Sequence, residues 1–262
     1  MSSISSLSFR QLQLSRQSLP APRIITLIGG GGKTGLMFLW ARCLRELGMS
    51  VVTTTTTKLC EETPPVVRII PVASPAAAQA ALLNPCAETI PLLVGGRLPA
   101  EKKLAGIPAD WLDRLHAEFP ATFFLVEGDG SAGRSLKGHL PHEPVIPAAT
   151  SLLAPVIGLD ILGKPLTENH VHRPEVFAGI TGLAPGDTID VNAILAVLQN
   201  PGGYLAKAPS TAAVLPVLNK LDLLPQPADA TVLARLILTA ALPRVQAVWV
   251  GSVRQNRFKE FT

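Results

Sequence analysis

A run of four glycines followed by a lysine and a threonine, at residues 29–34, is the stretch of this chain best suited to chemistry. Glycine amides can approach an anion closely, a lysine supplies a compact positive charge, and a threonine hydroxyl can ligate Mg²⁺. The β-branched run at 24–28 predicts a buried strand before the loop, and the apolar segment 36–47 predicts a helix after it. Strand, loop and helix N-terminus together predict a phosphate-binding site. The expected phosphate contacts are Gly29, Gly30, Gly31, Gly32, Lys33 and Thr34.

The loop departs from the usual phosphate-loop spacing at one position. The usual pattern has a glycine five residues before the glycine of Gly-Lys-Thr, and this chain has Leu27 there, within the predicted strand. A glycine-rich turn followed by a chance Lys-Thr pair is the alternative interpretation. The strand before the loop and the helix after it favour phosphate binding, because that context distinguishes the motif.

Acidic residues close a second buried strand, which is predicted at 122–126. Glu127 and Asp129 follow it directly, and the glycines beside them leave room for a ligand. Nucleotide-binding α/β folds place the carboxylate that holds Mg²⁺, or its water, at the end of such a strand. We therefore predict that Thr34 holds Mg²⁺ together with Glu127 or Asp129. Asp129 is also expected to orient the attacking group.

Basic and imidazole groups crowd the segment 131–144, directly after those carboxylates. Its glycines and prolines argue against a helix, and its position beside a candidate metal site favours function over an ordinary solvated loop. Positive side chains near the phosphates would neutralise the charge that develops during phosphoryl transfer. The residues expected to act in catalysis are Lys33, Asp129, Arg134, Lys137 and Arg173.

Five threonines and a lysine close another predicted strand, which starts near Val51. β-Branched threonines suit a strand, and ligands bind in the crevice at the carboxyl ends of parallel strands. Residues 55–58 are therefore candidates to face a ligand, with an ordinary threonine-rich strand as the alternative. The full set of expected substrate contacts is Thr56, Thr57, Lys58, His142, Glu143 and His172.

A strand that carries a proline, predicted at 214–218, ends in the sequence Asn-Lys-Leu-Asp. GTPases read guanine with this pattern, because the aspartate accepts hydrogen bonds from groups that adenine lacks. Four residues match by chance easily, but the place at a strand end, downstream of a phosphate loop, supports the interpretation. We expect Asn219, Lys220 and Asp222 to contact the base, which favours GTP slightly over ATP.

The remaining pattern alternates short strands with helices, which predicts an α/β fold: a three-layer P-loop NTPase-like domain with a mainly parallel sheet. Helices are expected at 76–83, 110–119, 174–180, 190–198 and 228–241, and further strands at 68–72, 91–94, 151–156 and, last in the chain, 245–250. Asp190 suits a helix N-cap. We expect a flexible leader at 1–22, a single domain at 23–262, and within it a substrate lid or subdomain at 128–185.

Composition narrows the class of function further. Aromatic residues make up only 5% of the chain, which argues against stacking platforms for single-stranded nucleic acid. The net charge of +4 comes from the chain ends, since no acidic residue precedes residue 24 and three basic residues lie after residue 253. The nearly neutral body therefore predicts no nucleic-acid partner. No apolar run of about 18 residues is free of proline and charge, so no membrane span is expected.

Cysteine and histidine patterns add little chemistry. Cys43, Cys60 and Cys86 form no CxxC pair, which favours a reducing compartment. Two histidine pairs invite a transition-metal hypothesis, but neither has the helical spacing of a zincin and no cysteine lies nearby in the sequence. These pairs are His139 with His142 and His170 with His172.

Five motifs, taken in order, carry a resemblance to a known family. They are Gly-Gly-Gly-Gly-Lys-Thr at 29–34, the threonine run ending at Lys58, Glu-x-Asp-Gly at 127–130 with Lys137 and His142-Glu143-Pro144 after it, His172-Arg173-Pro174-Glu175, and Asn219-Lys220-x-Asp222. In order and spacing they resemble the YqeC family of selenium-dependent hydroxylase accessory, or selenium cofactor biosynthesis, proteins. The resemblance covers residues 24 to 224, and its one departure is Gly128, where the family usually has alanine.

The resemblance implies a bacterial cytoplasmic P-loop protein that helps to mature molybdenum hydroxylases carrying labile selenium. Its implied partners are a nucleotide and a molybdenum hydroxylase, or another selenium or molybdenum cofactor enzyme, without nucleic acid or membrane. Together with the motifs it favours Mg²⁺-dependent hydrolysis or phosphoryl transfer from GTP or ATP. A nucleotide-gated chaperone or scaffold, and a small-molecule kinase or ligase acting on a cofactor precursor, are the alternatives. A selenium-carrying role for Cys60, two residues after Lys58, is a separate hypothesis.

Overall fold

The computed structural model describes residues 24–83 and 88–262. The leader expected at 1–22, and Cys86, lie outside the described residues. The elements are β1 (Ile24–Gly29), α1 (Lys33–Glu46), β2 (Val51–Thr55), β3 (Leu59–Cys60), β4 (Val67–Pro71), α2 (Pro75–Leu83), β5 (Ile90–Val94), β6 (Gly96–Leu98), β7 (Lys103–Ala105), α3 (Ala109–Glu118), β8 (Phe123–Glu127), β9 (Leu136–Lys137), β10 (Leu152–Gly158), β11 (Val171–His172), α4 (Pro174–Thr181), α5 (Val191–Gln199), β12 (Ala213–Val214), β13 (Val217–Asn219), α6 (Pro227–Thr239), β14 (Val248–Ser252) and β15 (Arg257–Phe261).

One large, mostly parallel sheet forms the centre of the protein. Its strand order is β15-β14-β13-β10-β1-β8-β2-β5-β4, and β12 pairs with β10. Neighbouring strands run parallel, except that β14 and β15 are antiparallel. Two small sheets lie beside it, one formed by β9 and β11 and the other by β3, β7 and β6. The prediction of an α/β fold with a mainly parallel sheet is confirmed.

Helices cover both faces of this sheet. Successive strand residues point to opposite faces, so Ile25 packs with α1 while Ile24 and Ile28 pack with the helices on the other side. On the first face Trp40 of α1 meets Trp249 of β14 edge-on, with ring centroids 5.8 Å apart. On the other face α2 and α3 form one hydrophobic cluster, and α4, α5 and α6 form a second. This arrangement is compatible with the three predicted layers.

Most predicted elements are confirmed within a few residues, including Asp190, which caps α5 by accepting a hydrogen bond from the Ala193 amide at 2.9 Å. The strand predicted at 214–218 is wrong in detail, since Leu215-Pro216 separates β12 from β13. The prediction that 245–250 holds the last strand is also wrong, because β15 follows it. β15 lies at the edge of the sheet, carries three charged residues among its five, and buries Phe258.

Part of the segment 128–185 belongs to the large sheet itself, because β10 lies between β13 and β1. The strands β9 and β11 of this segment pair with each other, and α4 follows them. Leu136, Val171 and Phe177 from this segment are fully buried in the same hydrophobic cluster as Ile28 and Ile157 of the large sheet. The segment therefore shares its core with the sheet, and its role as a lid or subdomain stays a prediction.

None of the helices in the described part of the chain combines the length and the hydrophobicity that a membrane crossing requires.

Candidate functional site

A cleft of about 730 Å³ opens at the carboxyl edge of the parallel sheet. The segments that follow β1, β2, β8, β11 and β13 line it, as expected for ligand sites in open parallel sheets. Its basic lining residues are Lys33, Lys58, Lys103, Arg134, Arg173 and Lys220, and its acidic ones are Glu127 and Glu143. The excess of basic side chains suits a ligand that carries negative charge.

The first three glycines of the loop use their amides inside the protein. The Gly29 amide donates to both carboxylate oxygens of Asp129, at 3.1 and 3.0 Å. The amides of Gly30 and Gly31 donate to the carbonyl oxygens of Val156, at 3.0 Å, and Arg134, at 2.9 Å. A Cβ atom at Gly31 would collide with the backbone of β10, and its φ of +78° also favours glycine. Three of the four amides predicted to contact phosphate are thus occupied by internal acceptors.

The amides at the start of α1 are open instead. Leu36 donates the first hydrogen bond of the helix, to the Gly32 carbonyl oxygen at 3.0 Å. Among the described residues, no acceptor meets the amides of Gly32, Lys33 and Thr34, and the N-cap glycine has no side chain to offer. A helix N-terminus with unsatisfied amides carries partial positive charge and attracts an anion.

Lys33 lies at the floor of the cleft, only 3% exposed. Its ammonium donates to the Gly29 carbonyl oxygen at 2.6 Å and lies 3.2 Å from Asp129 Oδ1 and 3.8 Å from Glu127 Oε1. Burial alone would lower the pKa of Lys33, but Asp129 and Glu127 outweigh burial and raise that pKa. Lys33 therefore stays charged, with its ammonium directed at the two carboxylates.

Asp129 is fully buried behind Lys33 and does not line the cleft. Besides the Gly29 amide and Lys33, it contacts His139 Nε2 through Oδ2. Burial would raise the pKa of Asp129, but Lys33 and the His139 hydrogen bond hold it far below the ordinary range. Both of its oxygens face internal donors, so Asp129 is poorly placed to bind a metal ion or to orient an attacking group.

Glu127 lines the cleft and accepts a 2.6 Å hydrogen bond at Oε2 from the Thr34 hydroxyl. Burial raises its pKa, although Lys33 and Thr34 act in the opposite direction. A hydroxyl and a carboxylate are hard oxygen donors of the kind that Mg²⁺ takes, usually with several waters. The residues present therefore fit Mg²⁺, which Thr34 and Glu127 would hold, whereas the Asp129 carboxylate faces internal donors.

A second ionic cluster borders the first. Lys137 is fully buried, with its ammonium 2.5 Å from the Gly130 carbonyl oxygen and 3.0 Å from Glu143 Oε2. Burial lowers the pKa of Lys137, while Asp129 and Glu143 act against it. Arg173 donates to both carboxylate oxygens of Glu143, and its φ of 61° is unusual for a residue other than glycine. Burial would raise the pKa of Glu143, but Arg173 and Lys137 hold it low.

Arg134 and His172 line the same cleft with fewer internal partners. The Arg134 guanidinium donates only to carbonyl oxygens, of Glu168 at 2.6 Å and Ala132 at 3.4 Å. Within the described ranges, no carboxylate pairs with it and no partner meets the ring nitrogens of His172. Among the residues predicted to neutralise charge, Arg134 is therefore the one whose positive charge is not balanced by a carboxylate of the described residues. Lys137 lies behind the cleft and does not line it.

The other predicted substrate residues are spread out. Thr57 and Lys58 line the cleft, and Lys58 pairs with Glu101 at 2.7 Å. The Thr56 hydroxyl instead donates to the Val145 carbonyl oxygen at 2.7 Å. His142 is exposed and lies outside the cleft lining.

The predicted base-reading residues hold three different positions. The Asn219 amide is buried, with its Nδ2 donating to the Gly31 carbonyl oxygen at 2.8 Å and its Oδ1 accepting from the Val253 amide at 2.9 Å. Lys220 lines the cleft and binds Ser135 Oγ at 2.7 Å and Asp160 Oδ2 at 2.9 Å. Asp222 is half-buried and lies outside the cleft lining.

Two buried residues that the sequence did not single out for this role support the site. His139, considered only as a possible metal ligand, contacts Asp129, and its ring lies 4.8 Å from that of Tyr204. The Tyr204 hydroxyl accepts a hydrogen bond from the Lys137 amide at 3.0 Å, and burial raises the tyrosine pKa. In the described part of the chain, no group of three His, Cys, Asp or Glu side chains is placed to hold a metal ion. Cys60 is exposed at the cleft rim.

Comparison with known proteins links the chain to one family. A family model described as "YqeC protein" matches residues 25–175. A protein of Escherichia coli (strain K12), described as "Uncharacterized protein YqeC", is 29% identical over 238 residues, which cover 90% of this chain and 89% of that protein. The matched family range includes the glycine loop, both carboxylates and His172, whereas Asn219 and Asp222 lie beyond it.

Proposed function

The chain belongs to the YqeC family, and we propose that it binds a nucleoside triphosphate with Mg²⁺ and hydrolyses or transfers the terminal phosphoryl group. The observation that carries this proposal is the 2.6 Å contact between the Thr34 hydroxyl and Glu127 at the open N-terminus of α1. These groups put oxygen donors for a metal ion beside amides that suit a phosphate. The order of strand, glycine loop and helix supports a P-loop type of site, with the loop shortened at Leu27.

Each residue has a distinct role in this proposal. Thr34 and Glu127 hold Mg²⁺ directly or through water, and the metal ion supplies charge neutralisation at the phosphates. The open amides of α1 and the Lys33 ammonium bind phosphate oxygens, while Asp129 keeps Lys33 charged and fixes the Gly29 end of the loop. Arg134 neutralises charge that develops during transfer, where one arginine can contribute about 10³-fold.

Base selection is assigned to Asp222, with GTP ahead of ATP. The support is its place directly after β13, two residues beyond Lys220, which lines the cleft. The side-chain amide of Asn219 is engaged inside the protein, because its Nδ2 donates to the Gly31 carbonyl oxygen and its Oδ1 accepts from the Val253 amide. Asn219 therefore acts on nucleotide binding by supporting the glycine loop.

The family resemblance supports a place for this activity in the maturation of selenium-dependent molybdenum hydroxylases. The alternative function in the same pathway is a scaffold that nucleotide binding switches and that turns over little nucleotide on its own. Nucleotide turnover measured with and without a purified apo-hydroxylase separates the two. A rate that rises only with the hydroxylase identifies the scaffold, and a rate that is independent of it identifies a free-standing enzyme.

Calorimetric titration with GTP and ATP, each with Mg²⁺, tests the proposed function. Lys33→Met removes the ammonium with its stem nearly kept, and Lys102→Met, an exposed lysine outside the cleft lining, is the matched control. We expect wild type and Lys102→Met to bind, Lys33→Met to lose binding, and Asp222→Ala to lose the preference for GTP. Thermal unfolding of each variant checks the fold. Failure of the wild type to bind either nucleotide rejects the proposal.

A further inference from the structure

His172 is the histidine whose ring lines the cleft. It ends β11 and borders the same cavity as Thr34 and Glu127. All the histidines of the chain lie in its described ranges, and the others are placed elsewhere. His139 is buried against Asp129, and His170 contacts Thr167 Oγ1 and the Pro165 carbonyl oxygen, both at 3.1 Å.

The other groups that could accept a proton near the cleft are already engaged. Glu143 receives hydrogen bonds from Arg173 and lies 3.0 Å from Lys137. Glu127 accepts from the Thr34 hydroxyl, and Asp129 faces inward. Throughout the described ranges, by contrast, neither ring nitrogen of His172 has a hydrogen-bond or ion-pair partner. Its lone pair is therefore available to a group bound in the cleft.

We propose that His172 is the general base that removes the proton from the hydroxyl group attacking the terminal phosphorus. This inference rests on the proposed function and names the chemistry of its acceptor, an O–H group of water or of a small alcohol. The proton passes from the acceptor oxygen to a ring nitrogen of His172, and the freed electron pair forms the new bond to phosphorus. The bond from that phosphorus to the bridging oxygen breaks, and its electron pair leaves with the nucleoside diphosphate. The imidazolium then returns its proton to solvent.

The charges around the ring suit this role. Four charged groups act electrostatically on His172: Arg173 next to it in the chain, Lys137 on the paired strand β9, and the carboxylates of Glu143 and Asp129. Burial, and then the two cations, lower the pKa of His172. The imidazole is therefore neutral at pH 7 and able to accept a proton. Glu143, whose pKa is held low, is a much weaker base at the same pH.

The matched variants are His172→Gln and His170→Gln, followed by turnover with Mg²⁺ and GTP or ATP from about pH 5 to about pH 8. A general base contributes about 10²–10⁴-fold, so His172→Gln should lower kcat by about 10²-fold or more while nucleotide affinity by calorimetry stays unchanged. In wild type, kcat should fall as the pH drops through the His172 pKa, and this acidic limb should disappear in His172→Gln. His170→Gln should keep both the rate and the limb.

A readout independent of turnover is the NMR signal of the His172 ring, assigned by its absence in His172→Gln. Addition of a non-hydrolysable nucleotide with Mg²⁺ should shift this signal and leave that of His170 in place. An unshifted His172 signal, or a His172→Gln variant with wild-type kcat and acidic limb, overturns the inference. Where turnover is too slow to measure, the NMR result alone decides. If wild type binds no nucleotide, or if Lys33→Met binds it as well as wild type does, the proposed function itself is rejected.

The source of the hydroxyl group is read from the products. Equal release of nucleoside diphosphate and inorganic phosphate identifies water as the acceptor. With glycerol added as a simple alcohol, diphosphate in excess of inorganic phosphate identifies transfer to an alcohol. Both reactions should slow equally in His172→Gln, because the same proton is removed in each. If neither reaction slows in His172→Gln, His172 is not the general base.

Discussion

Two groups of polar residues meet at Lys33. They differ in how many of their polar groups already have an ion-pair or hydrogen-bond partner within the protein. The inner cluster is Lys33, Asp129, Lys137 and His139. The cleft wall is Thr34, Glu127, Arg134 and His172. Every member of the inner cluster has a polar partner within the protein. Among the described residues, by contrast, no carboxylate pairs with Arg134 of the cleft wall and no hydrogen bond engages the His172 ring. Asp129, Lys137 and His139 therefore suit support of the loop, the cleft wall suits a ligand, and Lys33 lies between the two groups because it also lines the cleft.

Glu127, which ends β8, and Asp129, which follows it, show the difference most clearly. Glu127 still belongs to the strand and faces the cleft, whereas the chain turns at Gly128, whose amide donates to the Leu27 carbonyl oxygen at 2.9 Å. That turn sends Asp129 inward. The pKa of Asp129 is lowered and that of Glu127 is raised, so only Glu127 carries a charge that the protein leaves poorly stabilised. A divalent cation would stabilise it.

The largest expected effect comes from breaking the inner cluster. Asp129→Ala leaves the buried Lys33 without its nearest counter-charge, and removal of one partner of a buried ion pair costs about 3–5 kcal/mol of unfolding free energy. Glu127→Ala should cost much less, because the Glu127 charge is itself disfavoured. Urea denaturation of both variants measures the difference. Equal losses of stability would show that the two carboxylates are not distinct.

Thr34→Val should do the reverse, with little effect on stability and a large one on binding. Valine keeps the shape of threonine but removes the hydroxyl, and we expect the affinity for nucleotide with Mg²⁺ to fall about 10–100-fold, the range for perturbed metal sites. Thr34→Ser keeps the hydroxyl and should bind as wild type does. Titration calorimetry measures both. Wild-type affinity in Thr34→Val would remove Thr34 from the metal site.

Asn219→Ala tests whether Asn219 supports the glycine loop without affecting which base is preferred. Loss of the buried hydrogen bonds to Gly31 and Val253 should lower the unfolding free energy by about 1–3 kcal/mol and weaken GTP and ATP alike. Asp222→Ala should leave stability unchanged and alter only the ratio of the two affinities. Competition titrations measure that ratio. A changed ratio in Asn219→Ala would contradict a purely supporting role.

The smallest expected effect is on the pH dependence of stability. The contributions of Asp129 and Glu127 to the unfolding free energy should change with pH in opposite directions. Stability from Asp129 is present above its unfolded pKa of about 3.9 and is lost as the pH falls through its lower folded value. Glu127 has a raised folded pKa, so wild type should lose stability as the pH rises from about 4.3 to that value. Glu127→Gln should therefore gain stability relative to wild type as the pH rises from about 4 to neutrality, because glutamine carries no charge that burial disfavours. Denaturation midpoints measured across this range check the sign, and a constant difference would refute it.

Local pattern accounts for what the sequence predicted of the fold. β1, the glycine loop and α1 follow from adjacent residues, so their order is confirmed and their bounds agree with the prediction to within three residues. β15 was missed because it is short, has two charged residues side by side that break any period-2 pattern, and follows a tight turn. The two- and three-residue strands of the small sheets carry no periodic signal at all.

The site depends on contacts that sequence spacing does not reveal. Gly29 and Asp129 lie 100 residues apart, and nothing local indicates that the carboxylate occupies an amide predicted for phosphate. Glu127 and Asp129 are equivalent in the sequence, and only the turn at Gly128 separates them. Tyr204 supports Lys137 from 67 residues away, in a stretch without any motif.

Thr34 and Glu127 are proposed to hold a metal ion beside the phosphates. Electron paramagnetic resonance of Mn²⁺, used in place of Mg²⁺ with bound nucleotide, measures this directly through the coupling of the metal ion to phosphorus nuclei. We expect that coupling in wild type and in Asp222→Ala, and its loss or strong weakening in Glu127→Gln and Thr34→Val. Two results would contradict a metal site at Thr34 and Glu127: nucleotide binding without phosphorus coupling in wild type, or undiminished coupling in both Glu127→Gln and Thr34→Val.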